Sequence, residues 1–472
     1  MSDSKRRSST LYYAIVAALG GFLFGFDSGV INGTVEALAA SLGSNAAVTG
    51  FNVASMLLGC AAGALLAGRL ADHFGRRRVL IVAAVAFMIS AWGSGISTGS
   101  VEFVFYRILG GLAVGAASVL VPAYIAEIAP AASRGRFGTL QQLAIVIGLA
   151  AAFFSNYAIA GSAGGSGEPF WMGYQAWQWM FWAEIIPASV FFVLLFFIPE
   201  SPRFLVVAGR EAEAASVLER VLGADAARER MVEIKASFAS DHRPCFADMV
   251  DKVRGGLHPI VWAGIGIAVL QQFTGINVIF YYGSVLWTAA GFTESHALLI
   301  NVFTALVNVG TTIAALLLMD RIGRRRLLLI GSVGMTVTLL AVAAIFGLAG
   351  ETVDGQLQLS KTAGLAALVC ANLYVVAFAI SWGPAVWVLL GEMFPNRYRG
   401  AAIGLAGLAM WLANFTVTLT FPVLLASLGL ASAYLIYGGF AVVSFFFVRR
   451  VVAETAGREL ESMGDGTHGS GA

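Results

Sequence analysis

About twelve apolar runs, each long enough to cross a membrane, recur from one end of this 472-residue chain to the other. No water reaches backbone amides inside a bilayer, so such runs must close their own hydrogen bonds as helices. Charged residues make up only 12% of the chain against 58% hydrophobic, with mean hydropathy +0.81; soluble domains carry about 25% charged residues. The expected fold is an all-α membrane protein. Its spans are expected to begin near Leu11, Val48, Val79, Phe103, Phe137, Trp177, Ile260, Ala297, Leu327, Ala363, Ala401 and Leu430.

Charge placement sets the expected orientation. Of the 29 Lys and Arg, all but Arg107 and Lys361 fall at the termini and in every second loop. The positive-inside rule then puts both ends in the cytoplasm of a plasma or inner membrane. Lys5-Arg6-Arg7 before an apolar run resembles a signal peptide. That run continues past Phe24 with no small-residue cleavage site, so it reads as an uncleaved first helix. Five regions follow: a tail over 1–10, a six-helix bundle over 11–199, a cytoplasmic helical linker over 200–257, a second six-helix bundle over 258–452, and a tail over 453–472. Arg210-Glu211-Ala212-Glu213-Ala214 marks the linker as short amphipathic helices.

Cys60, Cys245 and Cys370 lie far apart and form no disulfide framework or zinc spacing. No phosphate loop is present, so ATP is not the expected driver. Neither a nucleophile–base pair nor a metal cluster nor a cofactor loop appears, which argues against an enzyme.

The two halves repeat one another. Asp72-His73-Phe74-Gly75-Arg76-Arg77-Arg78 follows the second span, and Asp320-Arg321-Ile322-Gly323-Arg324-Arg325-Arg326 the eighth. Glu127-Ile128-Ala129-Pro130 with Arg134-Gly135 follows the fourth; Glu392-Met393-Phe394-Pro395 with Arg399-Gly400 follows the tenth. A looser pair sets Glu200 to Arg203 against Glu454 to Arg458. This is the pattern of a six-helix unit duplicated in parallel. Arg holds carboxylates with two bonds, so Arg69, Asp72, Arg76, Glu127, Arg134, Glu200, Arg203, Arg324, Glu392 and Arg399 are expected to form cytoplasmic ion-pair latches, a gate between the halves. For Arg78 and Arg326, setting topology and binding anionic lipid is the alternative.

Three ionisable residues lie well inside apolar runs: Asp27, Arg107 and Glu184. Each is costly there and so is a functional candidate. Asp27 and Arg107 are expected to meet at similar depth, and protonating Asp27 would release Arg107. Arg does not give up its proton, so Asp27 is the proton carrier; a permanent structural pair is the alternative. Glu184 either relays protons or bonds to its helix neighbours. No histidine occupies a mid-span position.

The stretch Gln271-Gln272-Phe273-Thr274-Gly275-Ile276-Asn277-Val278-Ile279-Phe280-Tyr281-Tyr282 puts three amides and two phenols into an apolar run. Such groups need other helices or a polar ligand, and a hydroxyl-rich sugar offers the matching donors and acceptors. On an ideal helix Gln271 and Gln272 do not share a face with Asn277 and Tyr281. A bend at Gly275 would unite them, since interrupted helices at mid-membrane are where transporters place substrate. A polar zipper between helices is the alternative.

Gly68 to Arg77, Val121-Pro122-Ala123-Tyr124-Ile125-Ala126-Glu127, Pro199-Glu200-Ser201-Pro202-Arg203, the Gln271 to Tyr282 stretch and Gly383-Pro384-Ala385-Val386-Trp387 together resemble the sugar porters of the major facilitator superfamily. The resemblance implies twelve helices in two pseudosymmetric bundles, and alternating-access import of a monosaccharide (a hexose such as D-glucose, or D-xylose) with a proton. It also implies sugar contacts by Phe24, Gln142, Gln271, Gln272, Asn277, Tyr281, Asn308, Gly383 and Trp387. The implied partners are a monosaccharide, a proton and the lipid bilayer, with no cofactor, metal or nucleic acid, and a monomeric chain. A facilitative uniporter and a non-transporting sugar sensor are the alternatives. Three departures stand out. Met410 occupies a position where relatives often have Gln or Asn, Gln178 replaces a usual Arg, and Ala453-Glu454-Thr455-Ala456-Gly457-Arg458 lacks a Pro and a Lys, which implies a weaker latch.

Overall fold

The computed structural model describes residues 3–130, 134–239, 249–251, 255–353, 356–395 and 398–454. The side chains of Arg134 and Asp320, and Cys245, Asp354 and Arg458 altogether, lie outside the described residues. Eleven described helices are long and apolar enough to cross a membrane. The last of them, Arg399–Val451, has 53 residues. At about 1.5 Å per residue it would measure about 80 Å, far more than the ~30 Å hydrocarbon layer. It is two spans, parted at Gly429, whose φ of 75° is left-handed. The chain therefore has twelve spans.

By compactness the chain divides into residues 1–43 with 55–242, and residues 44–54 with 243–472. In the first unit, glycines let spans approach to backbone contact. Gly59 and Gly63 on the second span (Ala46–Phe74) face Gly111 and Gly115 on the fourth (Ser100–Ile128); a Cβ at any of the four would strike a carbonyl of the other helix. Gly25 and Gly148 do the same for the first and fifth spans. Close packing through small residues replaces the hydrophobic drive that lipid cannot supply. Asp27 and Arg107 lie on two of these closely packed helices, the first and the fourth.

The linker helices Pro202–Val207, Glu211–Leu222 and Ala224–Ala239 fold as the sequence pattern predicts. Ser201 accepts a hydrogen bond from the Phe204 amide and Pro202 takes the first turn, where its missing N–H costs nothing. Leu205, Ala214 and Val217 form a small core with Val206 and Met231. Two short hairpins, Val250–Asp251 with Gly256–Leu257 and Gly350–Val353 with Gln356–Leu359, were not expected from the sequence.

Candidate functional site

In the first unit the three intramembrane charges come together. Asp27, Arg107 and Glu184 are each 1% exposed. Arg107 Nη1 donates to Asp27 Oδ1, and Nη2 donates to the Asp27 carbonyl (3.5 Å) and to the Met56 thioether (2.9 Å). Its guanidinium carbon also lies 5.7 Å from the Phe181 ring centroid, within cation–π range. Glu184 interrupts the sixth span, between Ala176–Ala183 and Ile185–Leu195, and lies in the electrostatic field of both Asp27 and Arg107. Among the described residues Asp27 Oδ2 and Glu184 Oε1 have no hydrogen-bond partner. A Cβ on Gly110 would strike Ser90 Oγ at 2.3 Å and come within 3.3 Å of Asp27 Oδ2, so the glycine is what lets these groups pack together. One oxygen of Asp27 therefore holds the arginine, and the other is left without a partner among the described residues.

In the second unit the seventh span breaks where the sequence predicts. Pro259–Phe273 ends at Thr274, Gly275 adopts φ 83°, and Ile276–Ala289 resumes. The Tyr374 hydroxyl donates to the Thr274 carbonyl freed by the break (2.8 Å). The turn brings the amides into series. Gln271 Nε2 donates to the Trp382 carbonyl (2.7 Å) and more weakly to that of Gly383 (3.5 Å). Gln272 Nε2 donates to Gln271 Oε1 (3.2 Å), and Asn277 Nδ2 donates to Gln272 Oε1 (2.6 Å). A carbonyl only accepts, so the first bond fixes the orientation of every amide after it. The series ends on Asn277, a half-buried side chain whose Oδ1 is its last acceptor.

The tenth span also breaks, at Ser381 (φ −126°, ψ −84°), and Gln271 bonds to carbonyls in the first turn of the helix that follows, Trp382–Met393. Trp382 is anchored by its indole N–H to Leu328 O (3.1 Å) and Ser332 Oγ (3.0 Å). Gly383 thus reaches the site through its carbonyl. Tyr281, Asn308 and Met410 are buried, Phe24 and Gln142 half-buried, and Trp387 exposed at its helix surface. Gln141, beside Gln142, is buried and turned to the Ser118 carbonyl (3.4 Å).

Gly275 carries a direct prediction. A Cβ there would sit 2.7 Å from the Tyr437 ring on a left-handed backbone. Gly275→Ala should cost about 1–3 kcal/mol, read as a lowered melting temperature. Tyr437→Leu in the same chain should make the combined loss less than additive.

At the basic turns the two units repeat one geometry. Gly75 (φ 96°) and Gly323 (φ 90°) begin the third and ninth spans. Glu200 accepts from the amides of Arg76 (2.9 Å) and Arg77 (3.1 Å), and Glu454 from those of Arg324 (2.9 Å) and Arg325 (3.1 Å). A carboxylate at a helix N-terminus is stabilised by the exposed N–H groups and the dipole. A side chain on either glycine would collide with that carboxylate. Arg76 pairs with Asp72 (3.0 Å) and Glu127 (3.3 Å), and Arg324 with Glu392 (3.0 Å). Ser201 donates to Glu127, and Arg399 Nε to the Phe394 carbonyl (3.0 Å). Arg69 and Arg203 are exposed. Each of these pairs lies within one unit and ties the basic turn to its own bundle. Arg77 and Arg325, which the sequence reading passed over, donate to the last carbonyls of the sixth and twelfth spans: Leu195 (2.8 Å) and Phe196 (2.9 Å) for one, Arg449 (2.8 Å) for the other.

The family described as "Sugar (and other) transporter" matches residues 13–465. The chain belongs to the sugar transporter family. It is 52% identical over 449 residues to the glucose transport protein of Synechocystis sp., covering 95% of each chain. It is 38% identical over 495 residues to the D-xylose-proton symporter of Escherichia coli K12, covering 98% of this chain and 96% of that one. The inward-open structure of the xylose transporter XylE from E. coli is similar at TM-score 0.82 and 35% identity, over 96% of this chain and 99% of that one.

The departures from other sugar transporters now have physical readings. Gln178 closes a capping box, accepting from the Gln175 amide (2.8 Å), and ties the sixth span to the third through the Gly95 carbonyl (2.7 Å). Glu454 still caps its helix without the Pro and Lys. One turn beyond the apolar Met410, Asn414 offers a buried amide whose oxygen accepts from Thr418 (3.1 Å). Sequence reasoning missed Met56, Tyr374 and Tyr437. Nothing separates them in sequence from other residues in apolar runs; the break beside Trp382 was legible in Gly383-Pro384.

Proposed function

We infer that this sugar transporter imports a monosaccharide, D-glucose or D-xylose, together with a proton by alternating access across a bacterial inner membrane, with both termini in the cytoplasm. The observation that carries the proton role is the buried Asp27–Arg107 pair with its second acid, Glu184. A uniporter gains nothing from holding two acids and one base in hydrocarbon, where each ion costs several kcal/mol. The relatives' substrates, glucose and xylose, support a sugar of this class. On the sugar side, Gln272 and Asn277 are the recognition amides, Gln271 is their positioning residue, and Trp387 packs against the ring. Phe24, Gln142, Tyr281 and Asn308 complete the set. The arginine–glutamate pairs at the basic turns hold each bundle rigid as it rocks.

The test is uptake of labelled D-glucose and D-xylose into right-side-out vesicles, with and without an inward proton gradient. One pH unit supplies about 1.4 kcal/mol per proton, enough for about tenfold accumulation of one sugar. Accumulation that follows the gradient and collapses with a protonophore is the expected result. Equilibration to equal concentrations under the gradient would make the chain a uniporter.

A further inference from the structure

The loop before the sixth span carries a surface the transport reading does not use. Phe170, Trp171, Met172 and Tyr174 crowd five positions, with Trp171 62% and Met172 73% exposed. The loop is held firmly. Phe170 N donates to Tyr174 O (2.8 Å), Ala176 N to Glu168 O (2.9 Å) and Trp177 N to Ser166 O (2.9 Å). Gln175 Oε1 accepts from Ser41 (2.8 Å) and from the Trp177 indole (2.7 Å). Behind the tip the rings form a ladder. Trp171 stacks on Trp179 (5.0 Å, 26°), Trp179 meets Trp182 edge-on (5.0 Å), and Tyr174 meets Trp182 edge-on (4.8 Å). Both inner indoles donate to backbone, Trp179 to Trp171 O (3.0 Å) and Trp182 to Trp92 O (3.0 Å).

Met172 has φ 56°, the only non-glycine positive φ among the described residues. A left-handed backbone is strained for a methionine, and here it turns an apolar side chain outward.

The geometry points to an interfacial anchor: we propose that this aromatic hairpin inserts into the headgroup–acyl boundary of an uncharged phospholipid leaflet, on the face opposite the basic turns. Depth supports it. The sixth span, Ala176–Leu195, has 20 residues, about 30 Å of helix, which matches the hydrocarbon layer and puts the hairpin at its rim. Chemistry supports it too, since Trp and Tyr favour that boundary. Charge selects the lipid: between Arg136 and Arg203 there is no Lys or Arg, and Glu168 is the hairpin's one charge. Anionic headgroups therefore have nothing to hold. The anchor also sets the depth of Glu184, two turns along the same span.

The test labels Met172→Cys with a polarity-sensitive fluorophore, in a chain whose Cys60, Cys245 and Cys370 are replaced by Ala, reconstituted in phosphatidylcholine vesicles. Quenching by lipids brominated high on the acyl chain is compared with quenching by aqueous iodide. Glu219→Cys, exposed on a linker helix, is the aqueous reference. The label at 172 should be quenched several-fold more by bromolipid than the label at 219 and be shielded from iodide. Adding phosphatidylglycerol should change neither value, and Trp171→Ser should weaken the bromolipid effect while sugar uptake confirms a folded chain. Iodide quenching at 172 equal to that at 219 would overturn the anchor. Lipid quenching that needs phosphatidylglycerol would overturn the uncharged interface.

Discussion

Asp27→Asn is expected to leave sugar exchange intact and to abolish uphill accumulation. Where the native chain reaches about tenfold under one pH unit, the variant should stop at equal concentrations inside and out. The reason lies in the charge count of the buried trio. Two carboxyls and one guanidinium are electrically neutral only with one proton aboard, and an uncompensated charge in that setting is worth several kcal/mol. Asp27 Oδ1 holds Arg107 and Oδ2 has no partner, so a proton arriving there weakens the pair without moving either helix. Asn keeps an oxygen for Arg107 but has no site that titrates. The carrier is then fixed in a single protonation-like state and cycles only with sugar concentration. Counterflow measured beside uphill uptake separates this outcome from a misfolded chain, whose exchange would also be lost. A variant that still concentrates sugar would show that Asp27 and Arg107 are a structural pair.

Much of this arrangement was legible in the sequence because its chemistry is costly in lipid. Asp27, Arg107 and Glu184 stand out as ionisable residues in apolar runs, and Gly275 as the residue able to bend the helix between Gln272 and Asn277. The twelve spans followed from apolar length alone, including the division of Arg399–Val451 that a continuous helix assignment hides. The partners of those residues were not legible. Met56 accepts from Arg107 through a weak sulfur acceptor, and no pattern distinguishes that methionine from one that fills a gap. Tyr374 donates to the Thr274 carbonyl, which is available only because the seventh span breaks at Gly275.

The second large effect should come from Gln272→Ala, with a loss of sugar affinity on the order of 10- to 100-fold. Gln272 is the middle of the series, so truncating it removes the donor to Gln271 Oε1 and the acceptor for Asn277 Nδ2 together. Asn277 is then free to rotate and no longer presents Oδ1 as a fixed acceptor, so two recognition groups are lost with one side chain. Gln271→Ala should act differently. It releases the bond to the Trp382 carbonyl that orients the series and leaves that carbonyl buried without its partner. Its cost should therefore appear in the melting temperature of the sugar-free protein, whereas Gln272→Ala should chiefly lower the thermal shift that sugar produces. Titrating D-glucose and D-xylose against both variants in one melting assay reads the two effects apart. If Gln272→Ala binds sugar as tightly as the native chain, the amides are a zipper between the seventh and tenth spans. The sugar must then be held by Gln142, Asn308 and Trp387 without them.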